Sequence, residues 1–91
     1  MTRVQDQTYE GWWNRATWNV ALWISNDEPL YRAACDFMKR YTGKHPYWNF
    51  IMDMGLRDQR TPDGFKWNGT ALRYQELNDM MREFSPEGLR A

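Results

Sequence analysis

The 91-residue chain contains one cysteine, Cys35, and one histidine, His45. A single cysteine excludes an internal disulfide and a cysteine-rich zinc site, and it suits a reducing compartment. A Cys–His nucleophilic pair would have to join Cys35 to His45. Cys35 falls mid-helix beside Ala34 and Asp36, where no neighbour lowers its pKa, so it reads as a small packed thiol. There is no glycine-rich phosphate loop, because Gly43-Lys44 lacks both the upstream glycine spacing and the following Ser or Thr. HExxH, CxxC and EF-hand patterns are missing too. No catalytic residue, cofactor or metal is assigned, and the chain reads as a non-enzyme. No run of about 18 apolar residues exists and the start MTRVQDQTYE is polar, so a soluble, cytoplasmic protein without membrane association is expected. On that reading the sequon Asn68-Gly69-Thr70 is a chance match. An excess of one charge is absent as well: twelve basic residues face twelve acidic ones. That balance argues against duplex DNA or an anionic membrane as the main partner.

What the chain has in abundance is aromatic side chains: six Trp, five Tyr and four Phe, with six Met besides. A buried aromatic removes roughly 150–250 Å² from water, so about half of them would suffice for the core of so short a domain. Every buried indole must also place its N–H, and six such demands are hard to meet in a small interior. One to three of Trp12, Trp13, Trp23 and Trp67 are therefore expected to be partly exposed.

The stretch Gly11–Tyr31, GWWNRATWNVALWISNDEPLY, organises the rest. Asn14 is the N-cap of a helix in which Trp18, Ala21, Leu22 and Ser25 form one stripe, flanked by Val20, Trp23 and Ile24. Asn26-Asp27-Glu28-Pro29 reads as stop and restart. A second helix runs to about Tyr41 on the stripe Leu30, Ala34, Phe37, Met38 and Tyr41, with Gly43 as its closing glycine. A third, shorter helix spans Tyr47 to about Arg57 and turns Trp48, Ile51 and Met52 to the core. The segment 57–69 is irregular around the turn Thr61-Pro62-Asp63-Gly64, and Phe65 and Trp67 anchor it back on the helices. A fourth helix covers roughly Ala71 to Phe84. The expected fold is all-α: one small four-helix domain over residues 11–86, with a flexible tail at 1–10, from which Tyr9 folds back on the core, and a C-terminal tail at 87–91.

Two sets of residues are candidates for binding. The first is an aromatic contact face for a protein partner, with Trp12, Trp13, Trp67 and Tyr47 as anchors and Arg15, Arg57 and Lys66 at the rim; aromatics with nearby Arg and Met have the composition of interface hot spots. A homodimer through the same face is an alternative use of it. The second set is Lys39, Arg40, Tyr41, Lys44, His45 and Trp48, with Tyr47 beside them. Its cations and rings could clamp phosphates and stack a base of single-stranded nucleic acid. The plainer account is a helix C-terminus that collects cations for its dipole. Glu76, Asp79 and Glu83 lie three and seven residues apart on the fourth helix and read as a solvated face, with a divalent-ion site or a basic partner as the sharper alternatives.

Asn14-Arg15-Ala16-Thr17-Trp18-Asn19-Val20-Ala21-Leu22-Trp23-Ile24-Ser25-Asn26-Asp27-Glu28, followed by Leu30-Tyr31, resembles a recurring N-R-x-T-W-x-V-x-L-W-[IL]-x-N-[DE]-x-x-L-Y pattern. That pattern belongs to small proteins of unknown function carried by bacteriophages, plasmids and some prokaryotic genomes. Tyr74 to Met81 resembles their C-terminal helix more loosely. The resemblance implies mobile elements and a prokaryotic or phage-infected cytosol, a setting in which small proteins often bind and modulate a host protein. It transfers no functional residue.

Overall fold

In the computed structural model, which describes residues 10–85, the Asn14 side chain accepts the Thr17 N–H at 2.8 Å and starts α1, Arg15–Asn26. α1 buries Thr17, Asn19, Val20, Ala21 and Ile24. Of the stripe expected from spacing only Ala21 lies in the core; Trp18 and Leu22 are half-buried and Ser25 is exposed. Thr17 and Asn19 explain the rotation, because both find hydrogen-bond partners on the inner side. Asp27 alone separates α1 from α2, Glu28–Arg40, and its carboxylate accepts the Leu30 N–H at 3.1 Å. The two helices pack against one another, with Ala34, Phe37 and Met38 of α2 turned inward.

α2 leaves through an extended Tyr41 rather than a left-handed glycine. The Tyr41 ring stacks on Phe37 with centroids 5.0 Å apart, and its hydroxyl accepts the His45 N–H at 3.2 Å. Gly43 has a different use from the one expected: a Cβ there would collide with the Tyr41 phenol. Lacking a side chain, it lets the ring fold back.

α3, Pro46–Asp53, is shorter than its sequence pattern suggests. Gly55 takes φ +72° and donates to Met52 O, while Leu56 N–H donates to Ile51 O at 3.0 Å. This is a Schellman closure, which consumes the residues that would have formed another turn. α3 also faces the other way from the expected register: Tyr47, Phe50 and Ile51 are buried, whereas Trp48 and Met52 are exposed. Residues 47, 50, 51 and 48, 51, 52 both fit helical spacing. Burying two aromatic rings at positions 47 and 50 removes more apolar surface from water.

The segment after α3 pairs with itself. Arg60 and Lys66 form an antiparallel bridge around the turn at Gly64, which takes φ +95°. Trp67 N–H donates to Gln59 O at 3.0 Å, and the Asp58 and Asn68 side chains close the base. Thr61 Oγ1 donates to Asn19 Oδ1 at 2.7 Å, and Asp63 Oδ2 accepts both Asn19 Nδ2 and Trp23 Nε1, at 2.8 and 2.9 Å. Those two donors, with Arg15 assisting, hold the Asp63 carboxyl below its ordinary value. α4, Tyr74–Glu83, starts three residues later than its periodicity suggests. Residues 71–73 instead tie its start to α1: Asn14 Nδ2 donates to Ala71 O at 2.8 Å, and Arg73 N–H to Thr17 Oγ1 at 3.0 Å.

Among the described residues the fold is thus four helices without a strand, the third short. The core runs from Val20 and Ile24 through Phe37, Tyr47, Phe50 and Ile51 to Trp67, Leu77 and Met81. Apart from Glu10, the two expected tails, and with them Tyr9, lie outside the described residues.

The Tyr47 hydroxyl donates to Trp67 O at 2.5 Å inside this core. Burial, with Tyr74 adding to it, pushes the Tyr47 phenol well above its ordinary 10.0. A raised folded-state pKa gives stability that is complete below the unfolded value and lost as pH rises past it. Tyr47→Phe is expected to cost about 1–2 kcal/mol at neutral pH, from one buried hydrogen bond. The variant should then lose less stability than the wild type above the ordinary phenol value, measured by urea unfolding along an alkaline series.

Candidate interaction surface

Trp13 precedes the Asn14 cap and is held in place by α4. Its backbone N–H donates to Glu76 Oε1 at 2.9 Å, and the Arg73 guanidinium lies 4.1 Å from the indole centroid. The residue is still 39% exposed. Trp12 is half-buried and lines an open cleft of about 450 Å³ with Ser25, Met80 and Phe84. Glu76, Asp79 and Glu83 line the same cleft. Arg15 is exposed, its guanidinium 5.6 Å from the Phe65 ring. Trp13 sits where the N-terminal ends of α1 and α4 are tied together, and the cleft beside Trp12 continues to Ser25 and Phe84 near their C-terminal ends.

Two of the expected anchors are not on this surface. Trp67 is 3% exposed and Tyr47 fully buried, so neither ring is available to a partner. Trp67 closes the hairpin against the core, and Tyr47 is the residue that reaches it. Aromatic abundance alone could not tell these two rings from exposed ones, because the hairpin that buries Trp67 depends on pairing between its own arms. Arg57 and Lys66 both approach Asp58, at 3.8 and 3.9 Å. Both side chains are exposed, and among the described residues no hydrogen bond, ion pair or ring contact joins them to Trp12 or Trp13.

The second set divides in the same way. Lys39 pairs with Asp36 at 3.5 Å and Arg40 with Asp53 at 3.4 Å. Tyr41 is half-buried and engaged with Phe37, His45 and Asn49. Lys39 and Arg40 stay exposed while paired, and Lys44, His45 and Trp48 are exposed as well. Trp48 and His45 meet two residues of α4 that the sequence did not single out, Tyr74 and Asn78, around a cavity of about 340 Å³. Periodicity alone could have found them, since positions 74 and 78 share one flank of α4. Met52 and Met54 are exposed beside Trp48 on the same short helix.

Other candidates resolve more simply. Asp79 meets Arg82 at 3.4 Å, and Glu76 serves the Trp13 backbone. Among the described residues no three His, Cys, Asp or Glu side chains are grouped to hold a metal ion. Cys35 is half-buried, and its hydrogen bond raises the pKa of the Tyr31 phenol. Among the described residues no helix is long and apolar enough to cross a membrane.

A helical domain built on this α1–hairpin–α4 junction defines the class. The chain belongs to a family described as "Family of unknown function (DUF7249)", whose model matches residues 5–87. No curated protein and no solved structure matches it significantly.

The two tryptophans differ sharply in mechanical role. Trp67→Ala should cost about 3–5 kcal/mol, as large-to-small core changes do. Trp13→Ala should cost about 1–2 kcal/mol, the loss of a cation–π contact and a partly covered ring. Denaturant unfolding of the two variants checks the ordering.

Proposed function

We propose that the chain is a small non-enzymatic protein-binding module, an accessory protein of phage or plasmid type that modulates a host protein in a prokaryotic cytoplasm. The observation that carries this reading is the presentation of Trp13. Its backbone and ring are fixed by Glu76 and Arg73, yet the residue is 39% exposed. A preordered Trp–Arg pair beside an open cleft is the kind of surface on which binding energy concentrates, because little rotamer entropy is lost on contact. The zero net charge supports a protein partner over a polyanion. The resemblance of residues 14–31 to the phage and plasmid pattern supports the setting. Trp12 and Arg15 complete the surface, and a second copy of the chain is the simplest alternative occupant.

Affinity capture from the native host, compared between the wild type and Trp13→Ala, tests the reading. A partner enriched by the wild type should be depleted about tenfold or more by Trp13→Ala, which corresponds to losing at least one hot-spot side chain. Equal recovery by a folded Trp13→Ala variant would remove Trp13 from any interface. Light scattering of the purified chain separates the homodimer, which would itself dissociate in the variant.

A further inference from the structure

Where α3 meets α4 the fold leaves an aromatic cavity that its own packing does not use. Trp48 and Tyr74 form two walls, with centroids 6.4 Å apart and planes at 65°. His45 and Asn78 complete the lining of a space of about 340 Å³. A flat ring laid on Trp48 would meet Tyr74 edge-on, the arrangement that aromatic quadrupoles favour. Asn78 has one orientation open to it. Its oxygen accepts the Tyr47 backbone N–H at 3.0 Å, a donor that can only donate, so the amide NH₂ is left over.

The cations nearest the cavity in the chain are Lys44, which precedes His45, and Arg82, one turn past Asn78 on α4. Lys44 pairs with no acid among the described residues, in contrast to Lys39 and Arg40 one turn away. The Arg82 guanidinium donates to Lys44 O at 3.3 Å, with Asp79 as its acid. His45 is exposed between them and Trp48. Stacking rings, a spare amide donor and an unmatched cation are the components that hold an unpaired base and its phosphate.

We propose that this cavity takes one unpaired base of a single-stranded nucleic acid, stacked on Trp48, with the adjoining phosphate on Lys44. The site is separate from the protein contact. Arg73 and Glu76, which hold Trp13, lie on one flank of α4, whereas Tyr74 and Asn78 lie on the other. Only one or two phosphates can be met by the cations present, which reconciles the site with a chain of zero net charge.

Fluorescence anisotropy of a labelled short oligothymidylate with the full chain tests this at low salt. The wild type should bind, with log K falling against log salt by about 0.7 per phosphate and no more than two phosphates in all. Trp48→Ala should weaken binding about tenfold, the usual effect of losing one stacking ring. Lys44→Gln should weaken it and flatten the salt dependence, while Lys39→Gln, which removes the same charge elsewhere, should not. Asn78→Asp keeps the acceptor for Tyr47 and removes the spare donor; it should fold normally and bind less. Absence of wild-type binding overturns the proposal. So does equal competition by a duplex, an equal loss in Lys39→Gln, or unchanged binding by folded Trp48→Ala and Asn78→Asp.

Discussion

The polar face of α1 is the constraint on which the rest of the molecule rests. Asn14, Thr17 and Trp23 each hold one partner, and Asn19 two, in the segment that runs from Thr61 to Arg73. Apolar burial alone would hold α1 against α2 and leave the long connection between α3 and α4 free to settle in many ways. Two nearly dry polar side chains, Asn19 at 1% and Thr61 at 3% exposure, remove that freedom. Leaving either without its partner costs about 1–3 kcal/mol, a large share of the stability of so small a domain.

From this anchoring the remaining architecture follows. With the hairpin fixed on α1, Trp67 is delivered to the core and its carbonyl meets the Tyr47 hydroxyl. Tyr47 in turn sets the rotation of α3, and that rotation exposes Trp48 and Met52. The tie from Thr17 to Arg73 sets where α4 begins, and so brings Arg73 over Trp13 and Tyr74 toward Trp48. Both surfaces with a proposed binding role are thus by-products of one set of hydrogen bonds. The recurring residues of the 14–31 stretch have a structural use here: Asn14, Thr17 and Trp23 bond across to the 61–73 segment, and Val20 lies in the core.

The sequence made the number of helices and the cap at Asn14 legible, and narrowed the second cap to Asn26 or Asp27, because capping and turn chemistry act within four residues. Facing directions were less legible. α3 offers two overlapping apolar sets, and the choice between them depends on Trp67, which lies far along the chain. The burial of Trp67 and Tyr47 was hidden for the same reason, since it requires the hairpin to close first. Trp13 was visible as a candidate because two adjacent indoles cannot both occupy one staple position. Arg73 was not, since only the meeting of α1 and α4 gives it a task; Tyr74 and Asn78 share a helical flank that periodicity shows, but only the packing of α3 on α4 joins them to Trp48.

Asn19 and Trp23 are one helical turn apart and share a single oxygen of Asp63. A slip of α1 by one turn along its own axis would preserve much of its greasy character, yet it would present Trp23 and Asp27 to that oxygen, an indole and a repelling anion. The shared atom thus works as an indexing pin. Aliphatic positions on α1 can exchange among themselves with modest loss, whereas this pair sets the phase of the helix and leaves little latitude for drift.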